Sequence, residues 1–122
     1  MTEQQALYTQ LQEVKNLTTT HIIPIGGCGA FGMNMMCFVH QGKMIVVDAG
    51  SLFPPKWLLG VNQIIPDPSS TLFQKIPIGA YFITHAHEDH IGALYYFYKQ
   101  HKAPIYASPW TCEVIRARFA EA

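Results

Sequence analysis

Charge is scarce in this chain. Aspartate, glutamate, lysine and arginine make up 13% of its 122 residues, against about a quarter in an average domain. Eight basic residues balance eight acidic ones, so no long-range field draws this segment toward nucleic acid or an anionic membrane. No apolar run approaches the roughly 20 residues that cross a bilayer, and no membrane partner is expected. The start, Met1-Thr2-Glu3-Gln4-Gln5, has neither the basic nor the apolar stretch of a secretory signal. Cysteine is sparse too. Cys28, Cys37 and Cys112 form no CxxC and leave an odd count, which fits a reduced chain in the cytoplasm. Internal repeats and low-complexity tracts are also missing.

What the chain does have is an ordinary apolar share, 49%, in a length that fits one domain. It also has one dense cluster of polar donors. His85-Ala86-His87-Glu88-Asp89-His90 follows the aromatic and β-branched run Tyr81-Phe82-Ile83, which reads as a buried strand. His85 and His87 lie two apart, so an extended backbone aims both rings the same way. Asp89 is placed to cap a following helix. Imidazole nitrogen with carboxylate oxygen suits zinc, with manganese or iron as competitors. So short a backbone cannot easily wrap four donors around one tetrahedral ion. Two ions are expected, His85 and His87 on one, Asp89 and His90 on the other. The blander alternative is a polar loop or helix cap whose histidines are incidental.

Residues 1–17 form a leader or one amphipathic helix, with Leu7, Leu11 and Val14 on one face. His21 to Ile25 reads as a strand. Gly26 to Gly32 then has four glycines in seven residues, suited to a sharp turn or to backbone N–H groups near an oxyanion. It is no nucleotide loop, for neither a Gly-Lys-Ser/Thr ending nor a following helix is present. Met35 to His40 and Lys43 to Val47 read as strands joined at Gln41-Gly42. Asp48 ends the second on a carboxylate, which needs a partner if buried. Residues 51–77 are loop-rich, with Trp57-Leu58-Leu59 expected to pack and Asp67 to shape either the site or a turn. A helix is expected over 91–102, a strand over 104–107 and a helix over 109–121, while His40 and His101 should face solvent.

Thr84-His85-Ala86-His87-Glu88-Asp89-His90-Ile91-Gly92 resembles the HxHxDH signature of the metallo-β-lactamase fold. Three further stretches narrow the likeness: Ile25 to Asn34, Ile45 to Gly50, and Phe53-Pro54 through Ile64-Ile65-Pro66-Asp67. In that order they are similar to the amino-terminal part of ribonuclease J and related β-CASP ribonucleases, over about Ile22 to Ala107. That family commonly has Glu and Lys where Ala30 and Met33 stand here.

The resemblance implies an α/β (α+β) fold, with residues 18–122 as the amino-terminal half of an αββα sandwich. It implies a zinc-dependent ribonuclease with two ions in the complete site, manganese as alternative, and an RNA substrate cleaved by an ion-activated water. His85, His87, Asp89 and His90 would be ligands, Asp89 would also orient the nucleophile, and Asp48 would hold the histidines. The family's further ligands and its RNA-gripping β-CASP domain do not follow. After Asp89 there is no aspartate, and after His90 only His101. The chain thus reads as a truncated frame that binds metal weakly by itself. Two other readings are a thioesterase or lactonase of the glyoxalase II type, and a non-enzymatic half-domain that pairs with a second copy or a complementing chain.

Overall fold

The computed structural model describes Thr2, Gln5, Ala6 and residues 20–122. Strands β1 (His21–Gly26), β2 (Met35–His40), β3 (Lys43–Val47), β4 (Ile78–Phe82) and β5 (Ile105–Tyr106) form one sheet in the order 1-2-3-4-5. The first two pairings are antiparallel and the last two parallel. Helices α1 (Thr71–Lys75), α2 (Glu88–Ile91), α3 (Leu94–Gln100) and α4 (Pro109–Glu121) complete the described elements.

Alternation builds the core. Met35, Cys37 and Val39 of β2 are buried while Met36 and Phe38 between them are only half-buried, as a period of two requires. Cys37 lies opposite Val46, and Val46 opposite Tyr81, so one fully buried row crosses three strands. Phe73, Ile91, Leu94, Phe97 and Ile115 bring the helices onto this same face, with Phe73 edge-on to Phe97 at 5.0 Å. The opposite face carries Ile22, Ile45, Phe82 and Tyr106, all exposed, with the Phe82 and Tyr106 rings stacked at 5.1 Å. The described residues therefore form one sheet with helices on one side.

Burial pushes the Cys37 thiol up to about 12. Thiolate is the nucleophile, and it forms only as pH approaches the pKa. At pH 8 iodoacetamide is expected to alkylate exposed Cys28 and to spare Cys37 in the folded chain. Mass spectrometry of the tryptic peptides checks this; equal labelling would mean that the sheet opens readily.

The Gln41-Gly42 hairpin forms as expected, with φ of 51° and 74°, the two positive values of a type I′ turn. Ser108 caps α4 by accepting from the Thr111 N–H, and Pro109 opens the helix. Thr2 and Gln5 exchange hydrogen bonds between side chain and backbone at 2.9 and 3.1 Å, as in a capping box. The Leu7, Leu11 and Val14 face expected of the leader lies outside the described residues.

Elsewhere tertiary contacts overrule local pattern. The helix expected over 91–102 is broken at Gly92-Ala93, because the Ala93 N–H leaves the helical ladder for the Ala49 carbonyl (2.9 Å). Residues 71–75 are helical rather than loop. Trp57 and Leu59 do not pack: they are 77% and 88% exposed. A Leu52–Ile64 bridge closes the base of their loop, and Leu58 turns back onto Pro55, which holds the tip away from the core. Among the described residues no helix is long and apolar enough to cross a membrane.

Candidate metal centre

Parallel pairing of β3 with β4 brings two strand ends to the same edge. Asp48 leaves one and Thr84 to His87 leave the other. The Asp48 N–H donates to Phe82 O (2.9 Å), and its φ of 62° turns the chain sharply, a conformation aspartate tolerates better than most residues.

Its carboxylate, only 5% exposed at the residue level, takes three donors. The Thr84 N–H reaches Oδ1 at 2.8 Å. Thr84 Oγ1 and His90 Nδ1 reach Oδ2 at 2.8 and 2.7 Å. A carboxylate can only accept, so His90 carries its proton on Nδ1 and presents a lone pair at Nε2. The Thr84 hydroxyl spends its proton on Asp48, so it accepts from His85 Nδ1 at 2.9 Å. His85 is thereby left with its lone pair on Nε2 as well. One buried carboxylate sets the tautomer of two imidazoles.

Their rings converge, with His85 4.6 Å from His87 and 3.9 Å from His90 between centroids. One ligating atom from each of His85, His87 and Asp89 lies within 4.8 Å of the other two. Asp89 Oδ2 also stands 3.6 Å from His90 Nε2. Two imidazoles with a carboxylate is a donor set that zinc or manganese accepts, and the residues present fit a divalent ion. Asp89, expected from the sequence to share an ion with His90, thus also stands beside His85 and His87.

Not every polar residue of the stretch joins this cluster. Glu88 forms an ion pair with Arg118 of α4. Asp89 is no N-cap: His87 takes that position, its carbonyl accepting the Ile91 N–H at 2.9 Å, while Asp89 lies in the first turn and accepts from Asn34 at its carboxylate and carbonyl. Asp67 has the turn role, accepting the Ser69 N–H at 2.8 Å. His40 is exposed as expected. His101 is not: it is half-buried, its ring is tied to Pro68 O at 2.7 Å, and its carbonyl accepts from the Tyr81 hydroxyl at 2.7 Å.

Backbone bonds lock the segments together. Ala49 N–H donates to His90 O, Ser51 N–H to Glu88 O and Asn34 N–H to Asp89 O, at 2.9 to 3.0 Å. The approach is close enough that a Cβ on Gly50 would lie 1.7 Å from Asp89 O, so only glycine fits there. The glycine-rich loop serves as a turn that delivers Asn34 to this junction, with positive φ at Gly27, Gly29, Gly32 and Met33. Sequence reasoning assigned no role to Thr84 or Asn34. Neither is a ligand type, and only knowledge that β3 and β4 are neighbours would have pointed to Thr84.

A model of the metallo-beta-lactamase superfamily matches residues 29–113. Among curated relatives, ribonuclease J of Helicobacter pylori is 44% identical over 100 residues, which cover 82% of this chain and 14% of that protein. Ribonuclease J 1 of Streptococcus pyogenes is 41% identical over 100 residues, 82% of this chain and 18% of its own length. Ribonuclease J 2 of Staphylococcus aureus is 40% identical over 95 residues, 78% and 17% respectively. The chain thus spans less than a fifth of the length of each relative. With the matched region running from the glycine-rich loop through Asp48 and the whole histidine cluster, the chain belongs to the metallo-beta-lactamase superfamily.

Proposed function

We propose that this chain supplies the amino-terminal share of a metal-dependent ribonuclease of the ribonuclease J type, which hydrolyses RNA phosphodiester bonds. The observation that carries this is the convergence of His85, His87 and Asp89 on one point, in a chain whose curated relatives are named ribonuclease J. Residues 18–122 are then the first half of the sandwich, with its open sheet face available to the second. The same names weigh against a thioesterase or lactonase. Three free cysteines and an RNA substrate both suit the cytoplasm.

In this reading His85 and His87 would hold one ion, and Asp89 and His90 a second; zinc is favoured by the donors and manganese is the competitor. Divalent ions at such a site lower the pKa of water and neutralise charge on phosphate oxygens. The protein's own part is orientation. Asp48 fixes the proton of His90 directly and that of His85 through Thr84, so both rings keep an unprotonated Nε2 for ligation. Asp89 is only half-buried and would also orient the attacking water.

A chimera tests this, with residues 20–122 replacing the corresponding segment of Helicobacter pylori ribonuclease J. It is expected to cleave labelled single-stranded RNA in zinc or manganese and to stop when EDTA is added. A folded, ion-loaded chimera that leaves RNA intact, or that hydrolyses a thioester instead, would overturn the reading.

A further inference from the structure

Asn34 occupies a position that the proposed chemistry does not yet use. Its backbone is built into the junction: its N–H donates to Asp89 O at 2.9 Å and its carbonyl accepts the Gly50 N–H at 3.0 Å. Its side chain then reaches further in. Nδ2 lies 3.1 Å from Asp89 O, 3.2 Å from Asp89 Oδ2 and 3.3 Å from His90 Nε2. Both Asp89 atoms can only accept, which fixes the carboxamide with its nitrogen toward the cluster. Its oxygen faces Gly27, where a Cβ would lie only 2.3 Å from Oδ1 and where φ is +86°. The amide cannot turn over without losing these bonds, and a side chain at Gly27 would displace it.

The His90 proton is held on Nδ1 by Asp48, so the Nε2 facing Asn34 is a lone pair. One amide nitrogen therefore donates toward the same carboxylate oxygen and imidazole nitrogen that a divalent ion would take. We propose that Asn34 is the positioning residue of Asp89: its carboxamide holds the carboxylate in ligating orientation beside His90. When an ion takes the His90 lone pair, the amide keeps its hold on Asp89 alone. The assignment rests on the metal-centre reading above. It adds a residue of neutral, non-ligating type whose contribution passes wholly through its neighbour.

A double-mutant cycle with Co2+ as probe tests it in the full chain. Asn34→Ala leaves both backbone bonds in place and removes a hydrogen bond to a charged group, so Co2+ affinity is expected to fall about tenfold or more. In an Asp89→Ala background, where Nδ2 keeps only its bond to the residue-89 carbonyl, the same substitution should cost much less. A merely structural role would weaken binding by the same factor in both backgrounds, and that result overturns the assignment, as does wild-type affinity in Asn34→Ala. Should Asn34→Ala fail to fold by circular dichroism, Asn34→Ser enters the same cycle with the same expectations. A wild-type chain that takes up no Co2+ at all brings down the metal-centre reading and this assignment with it, whereas tight wild-type binding with a flat cycle brings down the assignment alone.

Discussion

Alanine at both His85 and His87 is expected to abolish divalent-ion uptake while the chain stays folded. These two rings supply two of the three ligating atoms that converge with Asp89. Structural zinc sites with four ligands bind with apparent free energies of about 10–16 kcal/mol, or about 3 kcal/mol per ligand. Losing two ligands then weakens zinc by about 6 kcal/mol, roughly four powers of ten. Stability should change little, for His87 is exposed and His85 only half-buried, and substitutions at such positions are usually within about 0.5 kcal/mol. Isothermal titration with zinc measures the first quantity and a thermal melt of the metal-free chain the second. Unchanged uptake in the double variant would remove the cluster as the binding site.

The second large effect is expected at Asp48, and there stability and binding should fall together. Asp48→Ala strands the Thr84 N–H and the His90 Nδ1–H, which both point at a buried carboxylate. Each stranded donor costs about 1–3 kcal/mol, and alanine at φ 62° adds about 1 kcal/mol. A loss of about 3–7 kcal/mol is a large part of a domain's stability of about 5–15 kcal/mol, so the melting midpoint should drop sharply. Asp48→Asn separates the two consequences. It keeps one acceptor for the Thr84 N–H but turns an amide donor toward His90 Nδ1–H. Two donors cannot face each other, so the imidazole must move its proton to Nε2, the atom needed for an ion. Metal affinity should then fall about 10- to 100-fold with a much smaller loss of stability. Nitrogen-15 shifts of the His90 ring report the tautomer. An Asn variant with the original tautomer and full affinity would refute the orienting role.

The extent to which the sequence discloses this architecture follows from the range of each interaction. Strands β1, β2 and β3, the hairpin between the last two and helix α4 rest on short-range signals. These are alternation in Met35 to Val39, the Gln41-Gly42 dipeptide between two apolar runs, and a Ser-Pro start at Ser108-Pro109. All of these lie within a few residues and can be read directly. The break between α2 and α3 depends on one bond from Ala93 to Ala49, 44 positions away in the chain, and no local pattern announces it. Likewise Trp57 and Leu59 are apolar yet exposed, since a bridge at the base of their loop decides where the tip goes. At the metal centre the ligand-type residues are legible because their chemistry is compact and unusual. Thr84 and Asn34 are not, because their roles come from which strand ends meet.

Among the described residues, one side of the sheet carries no helix. Asp48 and the Thr84 to His87 segment run straight off strands whose outer surface, at Ile45 and Phe82, is open. A layer laid over that surface and an ion caught at the rim would both favour the same ordered strand ends. Linkage then makes the effect mutual: whatever factor the covering layer adds to the grip on the ion, the ion returns in the adhesion of the layer.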